Sequence, residues 1–110
     1  MTDRIGPVLS ALADPTRRHV VETLLRDGST SVPALTETLP ITRQAVAKHL
    51  AALGEAGLVE RAPSPGREVR YRLRAGAIAP ASEWIGGVAA AWDRRLERLR
   101  DAVEGRDHIA

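Results

Sequence analysis

A chain of 110 residues with 44% apolar and 27% charged residues has enough material for one modest core, and none to spare for a substrate domain beside a binding domain. It contains no cysteine, which excludes disulfides, thiolate metal ligands, cysteine nucleophiles and thiol redox sensing. The net charge of +2 is uneven: between Ile41 and Arg74, Arg43, Lys48, Arg61, Arg67, Arg70, Arg72 and Arg74 against Glu55, Glu60 and Glu68 give +4, leaving −2 for the remainder. That concentration suggests a polyanion partner for the segment, with a merely solvated arginine-rich surface as the alternative. No apolar run approaches the roughly 18 residues of a membrane span. Met1 to Ser10 lacks the order of a signal peptide, so the expected location is the cytoplasm.

A short first helix is expected over residues 3–13, with Asp3 as N-cap and Ile5, Val8, Leu9 and Leu12 on one side. Asp14-Pro15 starts a second, since proline's missing donor is not needed at the first helical position. Val20, Val21, Leu24 and Leu25 form its apolar stripe and Gly28 ends it. After a Ser29-Thr30-Ser31 turn, Val32 staples a third helix that begins at Pro33, turns Leu35 and Leu39 inward and stops at Pro40. Thr42 caps a fourth helix, which runs from Arg43 to Ala56 and is closed by Gly57. Val46, Leu50 and Leu53, at i, i+4 and i+7, put one face of it down, leaving Arg43, Gln44 and Lys48 outward and His49 on the flank of that set. Together the third and fourth helices make a helix-turn-helix.

Leu58–Ala62 and Glu68–Leu73 alternate apolar and polar residues around the turn segment Pro63-Ser64-Pro65-Gly66-Arg67, so they predict a β-hairpin. Val69, Tyr71 and Leu73 should point one way, Arg70 and Arg72 the other. A hairpin directly after a helix-turn-helix is the wing of a winged helix. A last helix is expected from near Ser82 to about Glu104, with apolar residues at three- and four-residue spacings. The expected fold is mainly α (α+β): one winged helix-turn-helix domain over residues 1–110, with its core at about 10–75, a two-stranded wing, and a C-terminal dimerisation helix at about 82–104.

A helix fits the DNA major groove, and side chains at its exposed start can read base edges. Arg43 and Gln44 occupy that start and match guanine and adenine respectively. Thr42 is an N-cap, alone or with a phosphate contact, and Lys48 is a phosphate clamp. His49 is either a contact to the DNA backbone or an ordinary surface residue. Arg67 at the hairpin tip, with Arg70 and Arg72, suits a phosphate backbone or a narrow minor groove, unless these arginines serve solubility alone. With phenylalanine absent and aromatics at 3%, no stacking platform for single strands is available, which favours duplex DNA. The terminal helix carries Trp84, Ile85, Val88, Trp92, Leu96 and Leu99, more apolar surface than so small a body covers easily. These residues, with Leu9, are the expected dimerisation set, the alternative being a helix packed on its own domain. A twofold dimer sets two recognition helices roughly 34 to 36 Å apart, one turn of DNA.

Leu12-Ala13-Asp14-Pro15-Thr16-Arg17-Arg18 with Val20 to Leu25, Thr42-Arg43-Gln44-Ala45-Val46-Ala47-Lys48-His49-Leu50, Leu53-Gly54-Glu55-Ala56-Gly57-Leu58-Val59 and Tyr71-Arg72-Leu73 are the stretches by which the chain resembles the ArsR/SmtB family of bacterial winged-helix repressors. The resemblance implies a homodimer that represses its own operon on an imperfect palindrome, with Thr42, Arg43, Gln44, Lys48 and His49 in the groove and Arg67 and Arg70 on the flank. Two positions depart from the pattern: Ala47 stands where a DNA-contacting serine is common, and Arg43 replaces a frequent glutamine. Family members that sense arsenic or cadmium use cysteine pairs, absent here. Zinc and nickel types use Asp, Glu and His on the last helix, where this chain offers only Glu104, Asp107 and His108. The expectation is therefore a repressor without metal or cofactor, released by an organic ligand, a partner protein or nothing at all. A metal-responsive relative and a protein-interaction winged helix without DNA binding stand as alternatives. An enzyme is not expected, because hydrolytic triads, phosphate loops and paired carboxylates all lack candidates.

Overall fold

Short polar side chains that bond free backbone N–H groups fix three of the helix starts. The computed structural model describes residues 3–107, in the order α1 (Gly6–Leu12), α2 (Pro15–Asp27), α3 (Val32–Thr38), α4 (Arg43–Glu55), β1 (Val59–Ala62), β2 (Arg70–Leu73) and α5 (Ala79–Asp107). Asp14 Oδ1 accepts from the N–H of Thr16 at 2.8 Å and of Arg17 at 3.1 Å, capping α2. Ser31 Oγ accepts from Ala34 N–H at 3.2 Å at the head of α3, and Thr42 Oγ1 from Ala45 N–H at 3.1 Å at the head of α4. Val32 is thus the first residue of α3 and not a staple before it. Gly28 and Gly57 follow α2 and α4 at φ +82° and +79°, left-handed conformations that favour glycine.

The start of α1 differs from expectation. Asp3 accepts from the N–H groups of both Ile5 and Gly6, so its carboxylate closes a turn outside the helix, which begins three residues later at Gly6. The α2 stripe also differs. Leu25 is 67% exposed, whereas Thr23 is buried beside Val20, Val21 and Leu24. Leu25 lies five residues, or about 140°, around the helix from Val20, outside the buried face. Thr23 tolerates burial because its hydroxyl donates to the carbonyl of His19 at 3.0 Å.

Val8, Ala11, Val20, Leu24, Leu35, Val46, Leu50, Leu53, Leu58 and Val59 form one core, with α4 packed against α1, α2, α3 and β1. The strands pair antiparallel, Val59 opposite Leu73 and Ala62 opposite Arg70. Pairing stops there, so Glu68 and Val69 fall outside β2, and Val69, expected inward, is 42% exposed. The other edge of β2 is covered by Thr30, which exchanges two backbone bonds with Tyr71 at 3.0 and 2.8 Å. The segment read as a turn therefore supplies a third strand-like rung.

α5 starts at Ala79, three residues ahead of the expected start near Ser82, with Pro80 in its first turn, where the missing donor costs nothing. Its 29 residues make a rod about 43 Å long. Ala81 alone among its described side chains is buried, so the helix projects from the body. The radius of gyration, 20.4 Å, shows the same against about 13 Å for a compact chain of this length. No described helix is long and apolar enough to cross a membrane.

The carboxyl of Asp14 is held below its ordinary 3.8, chiefly by the Arg17 N–H bond, against a desolvation contribution that raises it, with Thr16 N–H and the nearby charges of His49 and Arg17 adding to the lowering. A depressed carboxyl contributes stability that is present above the unfolded pKa and lost as pH falls through the folded one. Asp14→Asn keeps a capping oxygen but not the charge. We expect the thermal midpoint of the wild type to exceed that of Asp14→Asn at pH 7, and the gap to close below about pH 4. A gap that stays constant in melts from pH 7 to pH 3 would contradict this assignment.

Candidate nucleic-acid interface

One face of α4 is fixed and the opposite face is open. Val46, Leu50 and Leu53 are at most 2% exposed and anchor the helix on the body. Thr42, Arg43, Gln44, Ala47, Lys48 and Ala51 are exposed on the other side. Buried anchors and a capped start hold these side chains on a rigid element rather than a mobile loop. Among the described residues, no carboxylate lies within ion-pairing distance of Arg43 or Lys48. Both are free to meet an external anion.

His49 occupies a different part of the helix. It is half-buried, and its charge acts on Asp14 at the head of α2. Lying about 140° around α4 from Gln44 and 100° from Lys48, it sits on the flank that faces α2.

The hairpin also departs from the expected array of free arginines. Arg70 is half-buried: its Nε donates to Ser29 Oγ at 3.0 Å, its guanidinium to the Ser29 carbonyl at 3.1 Å and to Glu68 Oε1 at 3.1 Å. It ties the wing to the segment between α2 and α3. Arg72 Nε donates to Glu60 Oε2 at 2.9 Å and one terminal nitrogen of its guanidinium lies 2.9 Å from the same oxygen, while Arg74 Nε lies 3.9 Å from the same carboxylate's Oε1. Arg67, in the loop before β2, is exposed, and no carboxylate among the described residues lies within ion-pairing distance of it. The cross-strand pairing of Glu60 with Arg72 depends on the register, which alternation alone does not give.

On α5, Trp84, Ile85, Val88, Trp92, Leu96 and Leu99 are between 44% and 57% exposed, and Val103 is 61% exposed. They form the long apolar series expected from the sequence. Leu9 does not join it openly, being half-buried against the core on α1. No group of three or more His, Cys, Asp and Glu that could hold a metal occurs among the described residues. His108 lies outside them, as does the side chain of Asp107.

A helix-turn-helix domain model matches residues 12–62, from the end of α1 through β1. Among solved structures, an ArsR-like transcriptional regulator from Rhodococcus sp. RHA1 is 38% identical, covers 89% of this chain and 91% of its own, and superposes with a TM-score of 0.72. The chain belongs to the ArsR family. Reduced HlyU from Vibrio cholerae N16961 is similar at 27% identity over 74% of this chain and 84% of its own, with a TM-score of 0.59. The HTH-type transcriptional regulator Rv2034 of Mycobacterium tuberculosis (strain ATCC 25618 / H37Rv) is 46% identical over 63 residues, which is 57% of this ArsR-family chain and 57% of the relative, so the chain spans just over half the length of that regulator. These relatives are transcriptional regulators and not enzymes. The expected family and winged-helix fold are therefore found, with a mainly helical body, a two-stranded antiparallel hairpin and a C-terminal helix.

Two features of this ArsR-family chain escaped the sequence reading. Arg61, which entered only the charge of the segment, stands exposed opposite Tyr71 on the hairpin face that carries Val59. The Thr30–Tyr71 bridge involves a single residue on one side and leaves no periodic signal.

Proposed function

We propose that this chain is a dimeric repressor that binds double-stranded DNA at a palindromic operator upstream of its own gene. α4 enters the major groove, and Arg67 at the hairpin tip meets the flanking backbone. The observation that carries the reading is the exposed, cationic start of α4 on a buried base. Arg43 and Gln44 reach base edges, while Thr42 and Lys48 hold phosphates. His49 and Arg70 support this face from within the protein. The apolar series on α5 packs against its counterpart in a second copy, with Leu9 at the margin, and sets the two copies of α4 about one DNA turn apart. Repression requires no metal, a reading supported by the lack of cysteine and of a ligand cluster among the described residues.

The test separates base reading from charge. Arg43→Ala removes a bidentate contact worth roughly 1 to 3 kcal/mol of discrimination, so it should lose roughly 5- to 150-fold on the operator and far less on random duplex. Lys48→Ala should weaken both duplexes alike. Equal losses on the two duplexes for Arg43→Ala, measured by fluorescence anisotropy at fixed salt, would remove the base-reading role.

A further inference from the structure

The arginines of the hairpin divide by face and by partner. Arg70 is engaged by Ser29 and Glu68, and Arg72 and Arg74 by Glu60. Arg61 is exposed, and no carboxylate of a described residue lies within ion-pairing distance of it. The register sets Arg61 opposite Tyr71, on the hairpin face that also carries buried Val59 and half-buried Leu73, the face turned toward α4. Arg72 and Glu60 share the opposite face. Arg61 thus lines the groove of about 260 Å³ between α4 and the hairpin, whose α4 wall is formed by Ala47, Leu50, Ala51 and Gly54 and whose hairpin wall also includes Val59, Glu60 and Tyr71. The exposed positions of that α4 wall, Ala47, Ala51 and Gly54, bear nothing larger than a methyl group and continue into the open face of Arg43, Gln44 and Lys48. A strand of DNA lying along that face would run past Arg61.

We propose that Arg61, and not Arg72, is the strand arginine that binds a DNA phosphate, and that Glu60 holds Arg72 out of the interface as an internal anion. This rests on the reading of α4 as the DNA-binding helix. It extends the site from the recognition helix across the groove to β1, on the inner side of the wing rather than its outer face. Released counterions make each phosphate contact visible as a change in salt dependence, close to 0.9 in the slope of log affinity against log salt per contact.

The experiment is a salt titration of binding to operator and to random duplex for wild type, Arg61→Ala, Arg61→Lys and Arg72→Ala, with thermal melts to show that each variant is folded. Arg61→Ala is expected to weaken both duplexes roughly 5- to 10-fold and to lower the slope by about 0.9, Arg61→Lys to keep the wild-type slope, and Arg72→Ala to stay within about twofold with slope unchanged. A wild-type slope in Arg61→Ala, or the full loss appearing in Arg72→Ala instead, would overturn this assignment while leaving the function of α4 intact. If the wild type binds no duplex in a salt-dependent way, both the assignment and the proposed function fail.

Discussion

Replacing Trp92 with aspartate is expected to give a monomer in sedimentation, at concentrations where the wild type sediments as a dimer, and to lower operator affinity by about 100-fold or more. Trp92 stands in the middle of the α5 apolar series and is 57% exposed in the single chain. Burial of a tryptophan removes some 150–250 Å² from water, among the largest contributions a single residue makes. An aspartate in the same place carries an unpaired charge into an apolar contact, at a cost of several kcal/mol, and a twofold axis applies that cost in both copies. Operator affinity falls with it because the two half-sites are then bound by separate molecules rather than by one linked pair. Leu25→Asp is the control. Leu25 is also exposed and apolar, but it lies on α2, away from the α5 series, and the dimer should survive its substitution. A Trp92→Asp protein that remains a dimer, or a Leu25→Asp protein that dissociates, would move the association surface elsewhere.

Leu53→Ala should destabilise the fold by roughly 3 to 4 kcal/mol, within the 2–5 kcal/mol typical of such core truncations. Leu53 is completely buried and, with Val46 and Leu50, anchors α4 against the rest of the core. Its carbonyl also accepts from Leu58 N–H at 2.9 Å, so the same residue links the end of α4 to the approach of β1. The loss is a large share of the stability of a small domain, about 5–15 kcal/mol in all. It should appear as a lower urea midpoint with an unchanged slope. Leu25→Ala, at an exposed position, should cost less than about 1 kcal/mol. Similar midpoints for the two variants would mean that α4 is not anchored as described.

Much of the fold was legible because it is written in local chemistry. Asp14, Thr42, Gly28 and Gly57 mark helix boundaries through bonds and backbone angles that involve only their neighbours, and each stands where the sequence placed it. The triad Val46, Leu50 and Leu53 gave the buried face of α4 from spacing alone, and with it the exposed set Arg43, Gln44 and Lys48. Most of what was not legible depends on contacts between distant residues, the start of α1 being the local exception. Asp3 bonds the backbone of Ile5 and Gly6 in a turn outside the helix, and nothing in its identity distinguishes that from a cap. Val69 alternates correctly with Tyr71 but lies beyond the last strand pair, where alternation no longer implies burial. Arg70 finds Ser29, 41 residues away, and Arg72 finds Glu60 across the strands, so their engagement follows from tertiary placement and register. The candidate site was therefore sharper on the helix, whose geometry is local, than on the wing, whose geometry is not.

The most direct test of the central claim is a gel-shift titration of the purified protein on the DNA upstream of its own gene, with unrelated duplex as competitor, with and without EDTA. The account predicts a specific shift that survives the competitor and is unaffected by EDTA; retardation that unrelated duplex abolishes equally, under both conditions, would contradict it.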